Sequence, residues 1–131
     1  MTNKELIDLA VRTQKNAYAP YSGFKVGAAL LCEDGEVFSG ANVENSSFGL
    51  TNCAERSALF AAVSAGKRAF KAIAIVGGKD GNVSDSCPPC GACRQALAEF
   101  SPKGDLQVIL FNGQAEKALP LSALLPESFS L

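Results

Sequence analysis

The residues of this chain that could do chemistry gather in two short segments, Thr51-Asn52-Cys53-Ala54-Glu55-Arg56 and Cys87-Pro88-Pro89-Cys90-Gly91-Ala92-Cys93-Arg94-Gln95. Three thiolates drawn from both segments can hold one zinc ion while leaving a fourth tetrahedral position for water. A carboxylate two residues beyond the first cysteine can move protons at that position. The pattern reads as a hydrolytic site. The chain contains no histidine, which removes most nucleophile–base dyads and the usual histidine-rich zinc sites. Any zinc here must therefore be held by sulfur, with carboxylate at most.

Charge sets a second requirement. A divalent ion with three thiolates carries one net negative charge and a bound hydroxide adds another, so ionising the water needs positive compensation. Both segments are expected at helix starts, and each helix N-terminus supplies roughly half a positive charge. Arg56 adds a full unit and can donate to a thiolate sulfur. Glu55 is then the proton shuttle rather than a ligand. The bland alternatives are a capping role for Glu55, because Asn52-x-x-Glu55 has capping-box spacing, and an exposed helix charge for Arg56.

The identity of the binding sulfurs is open at this level. Cys87, Cys90 and Cys93 recur every third residue, so together with Cys53 they could close a structural four-cysteine zinc site. The Cys-x₂-Cys-x₂-Cys run also matches the start of an iron–sulfur signature, although the fourth Cys and its Pro do not follow, and a lone Cys-x-x-Cys can be a redox pair. Pro88-Pro89 stiffens the backbone between Cys87 and Cys90, whereas Gly91-Ala92 lets Cys90 and Cys93 share one helical turn. That favours Cys53, Cys90 and Cys93, with Cys87 a spare thiol near the site and Cys32 a small core residue.

These segments need elements to bring them together. Leu6, Leu9, Ala10 and Val11 have helical spacing, predicting a helix from Lys4 to Ala17 that ends near Ala19-Pro20. Phe24 to Leu31 and Val37 to Ala41 alternate with period two around Glu33-Asp34-Gly35, a hairpin. Asn52 can cap a helix from about Cys53 to Ala65, which Gly66 stops. Ala72-Ile73-Ala74-Ile75-Val76, ending in Gly77-Gly78, has the continuous apolar character of a strand covered on both faces. A polar loop, Lys79 to Ser86, leads to Pro89 and a helix of roughly Cys90 to Phe100. Strands at Leu106 to Phe111 and about Lys117 to Leu119 and a short helix at Ser122 to Leu125 complete the chain. This order predicts an α/β fold: a three-layer α/β/α sandwich with a mixed sheet of about five strands, in one domain spanning residues 1–131.

Composition bounds the partners. The formal net charge is −1 and the basic residues are scattered, so the phosphate-neutralising patch that drives nucleic-acid binding is missing. A small substrate fits better than a polymer. With no signal-peptide core and no run of 18 apolar residues, the expected setting is soluble and cytoplasmic, where cysteines serve as metal ligands or catalysts more often than disulfides.

Cys53-Ala54-Glu55 with Pro89-Cys90-Gly91-Ala92-Cys93 resembles the zinc deaminase signature in its three-cysteine form. The resemblance extends through Tyr18-Ala19-Pro20-Tyr21-Ser22-Gly23-Phe24-Lys25-Val26-Gly27-Ala28-Ala29, Gly40-Ala41-Asn42-Val43-Glu44-Asn45 and Leu124-Leu125-Pro126, nearly the whole chain. It is similar to the small homotetrameric cytidine deaminases. The resemblance implies zinc-dependent hydrolysis of cytidine and deoxycytidine to uridine and deoxyuridine with release of ammonia, in pyrimidine salvage. Zinc hydroxide adds to C4 while Glu55 protonates N3 and then the leaving amine. It further implies zinc ligands Cys53, Cys90 and Cys93, one ion per subunit, and ribose contacts from Asn42 and Glu44. Phe24 packs near the substrate, and backbone amides of Ala54 and Cys90 hold polar atoms of the base. Phe129 reaches a neighbouring subunit's site. Cys87, the long loop before it, and Phe48, where the family often has Tyr, depart from the pattern. The competing functions are a deaminase of another cytosine-bearing small molecule, of the blasticidin S type, and a non-catalytic four-cysteine zinc or iron–sulfur protein.

Overall fold

The computed structural model describes all 131 residues, Met1–Leu131. Its elements run α1 (Asn3–Gln14), β1 (Phe24–Cys32), β2 (Val37–Ala41), α2 (Ala54–Ser64), β3 (Phe70–Lys79), α3 (Gly91–Ala98), β4 (Gln107–Phe111), β5 (Glu116–Pro120) and α4 (Leu121–Leu124), with a single 3₁₀ turn at Phe48–Leu50. The five strands form one mixed sheet in the order β2-β1-β3-β4-β5. Only the β3–β4 pair is parallel, and α3 makes that crossover.

Side chains alternate across the strands, so each strand feeds two cores. Ala29, Leu31, Ala72, Ala74, Val76 and Ile109 meet Leu6, Ile7 and Ala10 of α1 on one face. Ala28, Leu30, Ile73, Ile75, Val108 and Leu110 meet Ala54, Ala58, Leu59 and Ala62 of α2, Leu97 of α3 and Leu121 of α4 on the other. The expected three layers result. Cys32 is a buried core residue, as its position in β1 predicts.

Three of the differences from the sequence reading bear on the site, each for a local reason. Helix α1 opens on a full capping box between Thr2 and Glu5 and stops at Gln14. There the buried Gln14 side chain donates to the carbonyls of Lys25 and Asn82 at 3.0 and 2.9 Å, and tight turns follow in place of further helix. Strand β3 does not end at Gly77-Gly78 but runs on through both, paired with Val26 and Lys25. A side chain at Gly77 would lie 2.8 Å from Cys87 Sγ, and one at Gly78 would collide with the Asn82 carbonyl. The two glycines thus let the Lys79 to Ser86 loop fold back onto the strand.

The third correction matters most for chemistry. Asn52 is not the cap of α2: its backbone pairs in an isolated bridge with Val43, and its side chain donates to Ser57 Oγ at 3.2 Å. Cys53 takes the cap position in extended conformation (φ −77, ψ 155) without using its sulfur as the cap. Glu55 is consequently the second residue of the helix rather than the third, so the capping-box alternative for it fails.

Candidate metal centre and active site

Helices α2 and α3 start at the same end of the sheet, and a cysteine stands at the cap of each. Cys90 caps α3 as Cys53 caps α2, extended (φ −67, ψ 168) and again without a side-chain capping bond. A serine or aspartate at these places would spend its side chain on the helix amides. Cysteine leaves both its sulfur and the first-turn N–H groups available. Cys93, one turn into α3, is fully buried and completes the set.

The ligand atoms of Cys53, Cys90 and Cys93 all lie within 4.8 Å of one another, and the Cys53 and Cys90 sulfurs are 3.8 Å apart. A tetrahedral zinc with bonds of about 2.3 Å spaces its sulfurs by about 3.8 Å, so the cluster fits the ion. Its protonation agrees. The neighbouring Cys93 and the Arg56 guanidinium lower the Cys53 thiol to about 5, while Cys53 and burial push Cys93 upward. A thiol lowered in this way is ready to bind a divalent cation as thiolate. Arg56 Nη2 donates to Cys53 Sγ at 3.3 Å, and the two sulfurs hold this arginine firmly charged. Arg56 is not an exposed helix charge.

Cys53, Cys90, Glu55, Ala54, Asn42, Val26, Thr51, Asn52, Cys87 and Pro88 line a hollow of about 190 Å³. Glu55 is buried there, only 4 % exposed. Burial, reinforced by the neighbouring Cys53 thiolate, raises its carboxyl to about 7. A carboxyl poised near neutrality can both accept and return a proton at working pH. Cys87 lines the same hollow, and burial pushes its thiol up to about 11. It stands outside the mutually close sulfur set, which disfavours a four-cysteine site.

The predicted substrate contacts are divided between two hollows. Asn42 lines the first and is tied to β1, its Oδ1 accepting from the Val26 N–H at 2.8 Å and its Nδ2 donating to the Phe24 carbonyl at 2.9 Å. Glu44 lines an adjoining hollow of about 430 Å³ with Tyr21, Ser22, Phe48 and Thr51, and accepts from the Tyr21 and Ser22 amides. Thr51 borders both hollows; no sequence pattern singled it out. Phe24 opens β1 with its ring near Gly77, beside Cys87. Phe129 is 67 % exposed, and its carbonyl accepts from Gln95 at 3.4 Å.

Fold and site together define an α/β domain carrying a three-sulfur metal centre beside a buried, near-neutral carboxylate. The family described as "Cytidine and deoxycytidylate deaminase zinc-binding region" matches residues 1–108. A cytidine deaminase of Halalkalibacterium halodurans is 50 % identical over 131 residues, covering 99 % of this chain and 96 % of the relative. The crystal structure of a Burkholderia pseudomallei cytidine deaminase superposes with a TM-score of 0.89 at 50 % identity, covering 98 % of this chain and all of that one. The Mycobacterium tuberculosis cytidine deaminase superposes at 0.82 with 40 % identity, each chain fully covered. This chain belongs to the cytidine and deoxycytidylate deaminase family, and its cofactor is zinc, one ion per chain. No helix is long and apolar enough to cross a membrane.

Proposed function

We propose that this protein is a cytidine deaminase of pyrimidine salvage, hydrolysing cytidine and deoxycytidine to uridine and deoxyuridine with release of ammonia. The observation that carries the reading is the buried Glu55 carboxyl, held near pH 7 in the same hollow as the Cys53 and Cys90 sulfurs. Cys53, Cys90 and Cys93 hold the zinc. Bound there, zinc supplies the Lewis acid that makes water nucleophilic near neutral pH. Glu55 carries one proton of the attacking water to N3 of the pyrimidine and then the other to the departing amine, roles its raised pKa suits. Arg56 and the two helix N-termini offset the thiolate charge, and the free N–H groups of Ala54 and Cys90 hold polar atoms of the base.

A nucleoside has a flat ring and a hydroxylated sugar, and the two hollows sharing Thr51 match that division. The base occupies the hollow with Glu55, and the sugar lies towards Asn42 and Glu44, with Phe24 close by. Asn42 and Glu44 retain hydrogen-bonding capacity beyond the bonds that orient them. We read residues 1–131 as one catalytic domain, acting in the cytoplasm as a homotetramer in which Phe129 enters a neighbour's site. Its exposure in the single chain supports that role over one of covering its own core.

The test is to offer cytidine, deoxycytidine, free cytosine and blasticidin S separately to the zinc-loaded protein and measure ammonia against substrate lost. Equimolar ammonia from both nucleosides is expected. Failure to turn over either nucleoside overturns the reading, and turnover of blasticidin S alone would reassign the enzyme to another cytosine-bearing substrate.

A further inference from the structure

The side chain of Arg94, next in sequence to the ligand Cys93, turns away from the sulfurs. Its Nε donates to the Pro89 carbonyl at 2.7 Å, and its Nη1 donates to the Leu124 carbonyl, also at 2.7 Å. Both bonds are short and charge-assisted, and a guanidinium fork fixes their relative direction. The acceptors are unlike each other. Pro89 is fully buried and immediately precedes the ligand Cys90, while Leu124 closes α4, near the C-terminus of the chain.

We propose that Arg94 is a positioning residue for the metal centre, through which the C-terminal segment holds Cys90 in its binding conformation. The peptide between Pro89 and Cys90 is planar, so anchoring the Pro89 oxygen fixes the tilt of that plane. Tilt of the plane is rotation about φ of Cys90, the dihedral that directs its sulfur. Arg94 shares a peptide bond with Cys93, so one residue sets two ligands against each other. Inside α3, the Arg94 N–H bonds the Cys90 carbonyl at 2.9 Å, which closes the ring from the other side. The second arm of the fork keeps the side chain from swinging free. Its acceptor is held in turn by α4, whose first residues bond back to Leu106 and Gly104. The two arginines of the site divide the work: Arg56 meets sulfur, whereas Arg94 meets backbone.

This inference rests on the zinc reading, and its test reports on metal rather than turnover. Arg94→Met removes both donors, and Arg94→Lys keeps stem and charge but loses the fork. Zinc release from the folded, loaded protein to a chromophoric chelator is expected to be about 10-fold faster or more in Arg94→Met, in line with other residues that orient metal ligands. Arg94→Lys should fall between that variant and the unaltered protein. Cobalt(II) in place of zinc should show displaced thiolate charge-transfer bands in both variants. Should Arg94→Met fail to fold, Arg94→Lys alone decides. Unaltered release and an unaltered cobalt spectrum in the variants overturn the proposal, even if their metal-free forms melt earlier, because that is all a merely structural arginine would do. An unaltered protein that takes up no zinc overturns the metal reading and this inference with it.

Discussion

At the scale of single residues, the proposed chemistry falls to one carboxyl, Glu55, and one guanidinium, Arg56. Glu55→Gln keeps the shape of the side chain and removes its capacity to carry a proton. Turnover should fall by at least about 10²- to 10⁴-fold, with zinc content and fold retained; full activity would rule Glu55 out as the proton carrier. The same substitution has a signature in the metal-free protein. Burial lifts the folded carboxyl from 4.5 to about 7, so between these values the folded chain binds more protons than the unfolded one. Stability attributable to Glu55 is therefore whole below about pH 4.5 and is lost as pH rises through 7. Denaturant titrations across that window should show this decline, and Glu55→Gln should flatten it. Arg56→Ala removes the cation 3.3 Å from Cys53. It should weaken zinc affinity by about 10- to 100-fold and slow turnover, checked by chelator competition and steady-state rates.

Among the elements, the decisive contact is α2 against the hairpin that carries Asn42. Gly40 of β2 lies so close to α2 that a Cβ there would collide with the Ala58 amide and approach the Ala54 carbonyl to 2.7 Å. Both are backbone atoms and cannot step aside. Gly40→Ala should push the first turn of α2 outward, costing about 1–3 kcal/mol of stability. Because that turn holds Cys53 and Glu55, zinc affinity should fall as well. A thermal melt paired with chelator competition checks both, and a loss of stability without a loss of affinity would separate packing from ligand placement. Gly40 stood in the sequence only as part of a matching block; its reason is a contact between elements distant in the chain. The same distinction governs what was legible. The favoured sulfur set, the place of Glu55 beside Cys53 and the β1–β2 hairpin were readable from residue type and from spacing within each segment. The true cap of α2 did not, because a backbone bridge from Val43 moved the helix start by one residue. Arg94 and Thr51 were equally silent, since their partners come from other elements.

For the whole molecule, the question is what covers the apolar surface beside the site. Phe48 is 76 % exposed and Leu50 70 %, on the 3₁₀ turn that follows Glu44. The Tyr21 ring stacks edge-on against Phe48 at 6.2 Å, itself more than half exposed. Apolar groups in such a cluster commonly mark an interface, and here Tyr21 and Phe48 border the hollow that holds Glu44. A neighbouring subunit docked on this face would close the sugar end of the site, and Phe129, exposed on the tail, is the group available to enter it. Light scattering should give the mass of four chains. Phe48→Asp, which places a charge in the contact, should dissociate the assembly and lower kcat/KM together with it. Removing residues 127–131 should instead leave the number of chains in the assembly unchanged and raise KM, because in this reading the tail closes a site without holding the subunits together. A monomer with full activity at assay concentration would refute the shared site, leaving the zinc centre and its proton chemistry to stand on one chain alone.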